Sequence, residues 1–327
     1  MRTGFVLSGF ASYSASHVGM LRALIAAGKV PDVVVGISIG AGNAAWLAAQ
    51  PTAAGVERLH RVWLEVGRHD VPPLTPPVAA RALLGSLPFH PITGLLRAAG
   101  VRNHILPIEP WSLFLAGIGR THYLVDNRNP RQFLRENLPI RRLERTAIPL
   151  CVMAADAETG EPVALSSGDA IPALQASSAV PGVYPSVQIS GRALVDGWVA
   201  QHTAIQEAVK LGADEVYVLP SGYTCNVRSP LPRVAGMLLH NLNLAIEQRI
   251  IAEVAHPPPG VRVHVVPPLC PLPVLPYEFH KSEMVIERAT RATEEWLTHG
   301  QPVPGLSRPL GPHRHHPPAS HNVKAAT

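Results

Sequence analysis

Directly behind the apolar run Val33-Val34-Val35 the chain reads Gly36-Ile37-Ser38-Ile39-Gly40. A β-branched run, a G-x-S-x-G pentapeptide and an alanine-rich stretch predict strand, tight turn and helix in succession. Such a turn lifts the serine hydroxyl clear of the backbone and leaves it at the helix N-terminus. Unpaired N–H groups and the positive end of the helix dipole favour negative charge there. Acyl transfer uses this arrangement, because its tetrahedral intermediate develops an oxyanion. Ser38 is the candidate nucleophile, Gly36 and Gly40 frame it, and the amide of Ile39 is a candidate oxyanion donor.

A serine nucleophile needs a base. In the common hydrolase order, serine is followed by an acid and then a histidine, and several strands precede the serine. Here it follows only the second predicted strand. The 16 histidines offer no evident partner, since His202, His240 and His280 fall in predicted helices or at their starts. Asp196-Gly197 is better placed. It follows the predicted strand Ala193 to Val195, so the carboxylate would stand at a strand end beside a turn that Gly197 permits. An ordinary Asp-Gly turn has the same sequence, and spacing alone does not separate the two.

The elements around these residues follow from periodicity. Phe5-Val6-Leu7 reads as a first strand, and Ser14 to Ala27 as a helix with Val18, Leu21, Leu24 and Ile25 on one face. Strand Val33 to Val35 and a helix to about Gln50 complete a β-α-β-α opening, which predicts a parallel sheet covered by helices. Later strands are expected over Ile148 to Ala155, Val163 to Leu165, Val187 to Ile189, Ala193 to Val195, Glu215 to Leu219 and Val261 to Val266. Helices are expected over Asn129 to Leu138, Asp169 to Ser177, Thr203 to Leu211 and His280 to Leu297. Between about 71 and 120 frequent prolines break both periodicities, which predicts an irregular insertion. Beyond about 302 a tail rich in Pro and His is expected to be disordered. The expected organisation is one domain over 1–302 and a tail over 303–327.

Composition narrows the class. At 46% hydrophobic residues the chain can bury a large core. Three cysteines, Cys151, Cys225 and Cys270, form neither a metal-ligand pattern nor a disulfide framework, which favours a reducing compartment. The net charge of +5 is spread without a dense basic run, which argues against nucleic acid and leaves a transient contact with a membrane surface open. Ser8 and Gly9 interrupt the first apolar stretch, so a signal peptide is not expected. The expected location is cytoplasmic, with peripheral membrane contact. Gly40-Ala41-Gly42-Asn43-Ala44-Ala45 matches a dinucleotide fingerprint but begins too far behind the strand.

Taken together, these segments resemble the patatin-like phospholipase family. The resemblance rests on Phe5-Val6-Leu7-Ser8-Gly9, His17 to Leu24, Asp32 to Ala41, Ala176 to Pro185, and Leu194-Val195-Asp196-Gly197, in the family's order. It implies a three-layer α/β/α fold with a mostly parallel central sheet. It also implies a lipid acyl hydrolase with a Ser38–Asp196 dyad and no metal or other cofactor. Ser38 would attack the ester carbonyl and Asp196 would accept its proton.

Two segments depart from the family. Its Gly-Gly-Gly-x-Arg-Gly oxyanion loop is here Gly9-Phe10-Ala11-Ser12-Tyr13-Ser14, and Asp196-Gly197 is followed by Trp198. The amides of Gly9, Phe10 and Ala11 remain candidate oxyanion donors. A side chain at φ > 0 is disfavoured, however, so restoring glycine at both Phe10 and Ala11 is expected to raise activity. The expected substrate is a phospholipid, a lysophospholipid or a simple acyl ester. The alternatives are an acyltransferase on the same dyad and a non-catalytic lipid-binding protein.

Overall fold

A computed structural model of the chain describes residues 1–68, 123–200, 204–221, 234–270, 272, 274–276 and 278–299. The Pro-rich segment expected over 71–120 and the tail over 303–327 lie outside them. Eight strands form one sheet: β1 (Thr3–Leu7), β2 (Val33–Ile37), β3 (Leu150–Asp156), β4 (Pro162–Leu165), β5 (Val187–Ile189), β6 (Arg192–Asp196), β7 (Glu215–Leu219) and β8 (Arg262–Val265). The order is β5-β6-β3-β2-β1-β7-β8, with β4 also paired to β3. Pairings among β3, β2, β1, β7 and β8 are parallel, while those of β4, β5 and β6 are antiparallel.

Every residue of β2, β3 and β7 is buried, as parallel strands covered on both faces must be. The outer strands β4 and β8 are partly exposed. The helices are α1 (Ser16–Ala26), α2 (Ile39–Ala49), α3 (Ala53–Arg68), α4 (Arg128–Asn137), α5 (Ala170–Ser177), α6 (Ala204–Lys210), α7 (Val234–Ala255) and α8 (Ser282–Thr298). Gly36 of β2 meets Ala41 and Ala44 of α2, whereas Gly4 of β1 meets Ala208 of α6. Gly36 pairs with Leu7, three residues on from Gly4, so α2 and α6 cover opposite faces. The result is the expected three-layer α/β/α fold with a mostly parallel sheet.

Most expected elements are found within a residue or two. Helix α1 is preceded by a 3-10 turn over Ala11–Ala15. The β5–β6 hairpin turns at Ser190 (φ 51°) and Gly191 (φ 79°), the positive-φ pair of a tight hairpin. Helices α3 and α7 are additions to the sequence reading. The buried apolar side chains of α3, Val56, Leu59, Trp63 and Val66, recur at helical spacing. No helix among the described residues is long and apolar enough to cross a membrane.

Candidate active site

Strand β3 brings Ser38 and Asp196 together. Its residues Val152 to Ala155 pair with β4 along one edge. The opposite edge is divided between two strands. Met153 pairs with Ile37, the last residue of β2, and Ala154 pairs with Asp196, the last of β6. The two strands therefore meet end to end on consecutive residues of β3. Ser38 and Asp196, 158 positions apart in sequence, share the gap, and Ser38 Oγ donates to Asp196 Oδ2 at 2.8 Å.

The serine holds φ 56° and ψ −134°, a conformation that non-glycine residues adopt only where the surroundings impose it. Close backbone contacts impose it here. A Cβ on Gly36 would lie 2.4 Å from Ala41 Cα, and one on Gly40 would lie 2.3 Å from Leu7 O. A Cβ on Gly197 would lie 2.6 Å from Met153 O, and one on Gly9 would lie 2.2 Å from Gly40 N. Only glycine fits at these four positions without backbone movement. The fully buried Ser177 completes the elbow, because its Oγ accepts from Ser38 N–H at 2.9 Å and donates to Met153 O at 2.6 Å.

Asp196 is 2% exposed and both carboxyl oxygens are engaged. Oδ1 accepts from Trp198 N–H at 3.0 Å while Oδ2 accepts from Ser38. Burial raises its pKa from 3.8 to about 7, against the opposing pull of the Trp198 and Ser38 hydrogen bonds. A carboxylate at that value takes and returns a proton readily near neutrality. Trp198 Nε1 also donates to Gly9 O at 3.0 Å, so this tryptophan, a departure from the family pattern, ties the end of β6 to the loop behind β1.

That loop differs from expectation at Phe10. Its N–H donates to Ser14 Oγ at 2.9 Å, so this amide is already engaged. The amides of Gly9, Ala11 and Ile39 have no protein acceptor among the described residues. Gly9, Ala11, Ser38 and Ile39 all line one cavity, so the amides of Gly9, Ala11 and Ile39 stay the candidate oxyanion donors. The expectation that glycine would help at both loop positions needs the same correction. Ala11 holds φ 43°, whereas Phe10 is extended at φ −142° and is 6% exposed. Ala11→Gly should therefore keep thermal stability within about 1 kcal/mol and keep or raise turnover of a short acyl ester. Phe10→Gly should lower stability by roughly 3–5 kcal/mol through loss of a buried ring. Thermal melts and 4-nitrophenyl butyrate assays of both variants would test the pair.

The cavity is about 540 Å³ and mostly apolar, walled by Trp46, Trp63, Phe133, Leu134, Ile246 and Phe279. No histidine lines it among the described residues. The nearby-sequence histidine of the family block, His17, is fully buried on Asn43, and burial lowers its pKa to about 3, so it stays neutral. Three polar side chains at the site are additions to the sequence reading. Ser177 lies in the family-like segment Ala176 to Pro185, but its contact with Ser38 N–H is not local. Ser14 replaces the loop's last glycine. Arg249 lines the cavity from α7 and bonds Trp198 O and Ala200 O.

The site therefore pairs a serine hydroxyl with a buried carboxyl group at the wall of an apolar cavity. The family follows from the sequence itself. The family model for patatin-like phospholipase matches residues 5–209, more than half of the chain, and the chain belongs to that family. Among solved structures, VipD from Legionella pneumophila is 14% identical, with 88% of this chain and 67% of that chain covered and a TM-score of 0.36. ExoU from the type III secretion system of Pseudomonas aeruginosa, solved in complex with SpcU, is 15% identical over 92% of this chain and 53% of that chain, with a TM-score of 0.36. The chain spans about half the length of ExoU.

Proposed function

We propose that this protein hydrolyses carboxylic esters of lipids through an acyl-enzyme on Ser38, with Asp196 as base. The observation that carries the reading is the 2.8 Å hydrogen bond from Ser38 Oγ to a buried carboxylate at the wall of an apolar cavity. As Ser38 Oγ bonds the ester carbonyl carbon, its proton passes to Asp196 Oδ2. The carbonyl oxygen becomes an oxyanion that takes hydrogen bonds from the free amides among Gly9, Ala11 and Ile39. The bond to the leaving alcohol then breaks, and Asp196 returns the proton to that oxygen. Water repeats the sequence on the acyl-enzyme and releases the fatty acid and free Ser38. The cavity takes the acyl chain. Membership of the family supports a lipid as substrate, and phospholipid, lysophospholipid and simple acyl esters all fit this chemistry.

The Phe10–Ser14 hydrogen bond favours a second reading, a lipid-binding protein that retains the scaffold without turnover. A fluorophosphonate probe separates the two. The hydrolase forms one covalent adduct, on Ser38, and releases free fatty acid from phosphatidylcholine, lysophosphatidylcholine or 4-nitrophenyl butyrate. A folded chain that neither labels nor releases acid would be the binder. Acyl transfer to an added alcohol in place of acid release would make it a transferase.

A further inference from the structure

We propose that α4 and the arginine-lined cleft at its C-terminal end form a docking face for a lipid surface bearing anionic headgroups. Helix α4 presents two unlike sides. Pro130, Phe133 and Leu134 line the acyl cavity, while Arg131 and Arg135 are exposed. Those two arginines are four residues apart on one side of the helix, where like charges repel. Neither has an acidic partner among the described residues. Arg141 extends the same surface, since its Nη2 donates to Arg135 O at 2.9 Å.

Beyond the end of α4 lies a second, more polar cavity of about 680 Å³, lined by Asn137 of α4 together with Arg58, Arg61 and Arg145 against the single acid Glu65. Trp46 and Val62 line both cavities, so the basic cleft and the acyl cavity share a wall. Over residues 126–145 the chain carries six arginines (128, 131, 135, 141, 142 and 145) against three acids (126, 136 and 144). Asp126 and Glu144 are bound to Arg128 and Arg142 and Glu136 accepts from Gln132, which leaves Arg131, Arg135, Arg141 and Arg145 as an exposed excess of positive charge.

The charge complement of this face is a sheet of anionic headgroups, and its apolar neighbour is the cavity for the acyl chain. The arginine side of α4 would face the headgroups while its apolar side stays on the acyl cavity. In that pose a lipid chain would enter past Phe133 and Leu134. The inference rests on the esterase reading only for its purpose, because docking itself needs no turnover.

The test is flotation with vesicles of phosphatidylcholine alone and of phosphatidylcholine containing phosphatidylglycerol. The chain carries Ser38→Ala, so that binding is read without hydrolysis. The protein should partition onto the anionic vesicles, and added salt should release it. Arg131→Gln with Arg135→Gln should lower that partitioning by about 30-fold, which is roughly 1 kcal/mol of surface attraction per arginine. In the chain with Ser38 restored, the same pair should leave 4-nitrophenyl butyrate turnover and the melting temperature unchanged. Arg262→Gln with Arg291→Gln, on β8 and α8, removes equal charge elsewhere and should change partitioning by no more than about twofold. Equal binding to both vesicle types, no loss in the α4 variant, or an equal loss in the control would each overturn the docking face. Loss of soluble ester turnover in the wild-type chain would instead bear on the esterase reading alone.

Discussion

Ser38→Ala is expected to remove ester hydrolysis by a factor of about 10⁴ or more, because the proposed route passes through a bond to that oxygen and no other nucleophile replaces it. The fold should survive. Alanine keeps the same backbone at φ 56°, Ser177 still accepts the residue-38 N–H, and the four close-packed glycines are untouched. A readout without turnover accompanies this. The Ser38 hydroxyl is one of two hydrogen bonds that hold the Asp196 pKa down against burial. Its loss should move that pKa above about 7, observable as a shift in the carboxyl titration by infrared or NMR spectroscopy. Full turnover by the variant would exclude Ser38 as nucleophile. An unmoved Asp196 titration would show that the pair does not communicate in solution.

How much of this was legible in the chain depends on how local each determinant is. Strand β2 is apolar on both faces, and the continuous β-branched run Val33-Val34-Val35 shows that directly. The elbow serine is equally local, since five residues of motif and the flanking elements specify it. Asp196 is different. Its sequence is that of any Asp-Gly turn, and what makes it a partner is the register of β3, which places Ile37 and Asp196 on Met153 and Ala154. No spacing within either segment encodes that register. Only the family blocks carried it.

The loop behind β1 separates the two kinds of information again. Loss of its glycines can be read, but which residue bears the positive φ cannot, and it is Ala11 alone. Likewise Ser14 reads as one more replaced glycine until its Oγ is seen to hold Phe10 N–H. Helix α3 was available from the spacing of Val56, Leu59, Trp63 and Val66. Helix α7 was not, because its apolar residues are spread around the helix without a dominant stripe, and Arg249 came with it.

The second large effect combines a loss with a gain. Asp196→Asn removes the base and should lower turnover by roughly 10²–10⁴-fold. The wild-type rate on a soluble ester should rise with pH through a single ionisation near 7, because only the carboxylate can accept the serine proton. The residual rate of the variant should lack that inflection. Stability should move the other way. The folded chain holds the Asp196 proton up to about pH 7, whereas an unfolded chain releases it near 3.8. Between these values the folded state binds more protons, so wild-type stability falls as pH rises through the window. The full penalty is present above pH 7 and amounts to at most about 4 kcal/mol for a shift of this size. Asparagine keeps the shape without the charge and escapes the penalty. The variant should therefore melt above the wild type at pH 8 and together with it at or below pH 4. A stability difference that does not change with pH would mean that Asp196 is not held protonated by burial, and the same result would remove the physical reason for its pKa near neutrality.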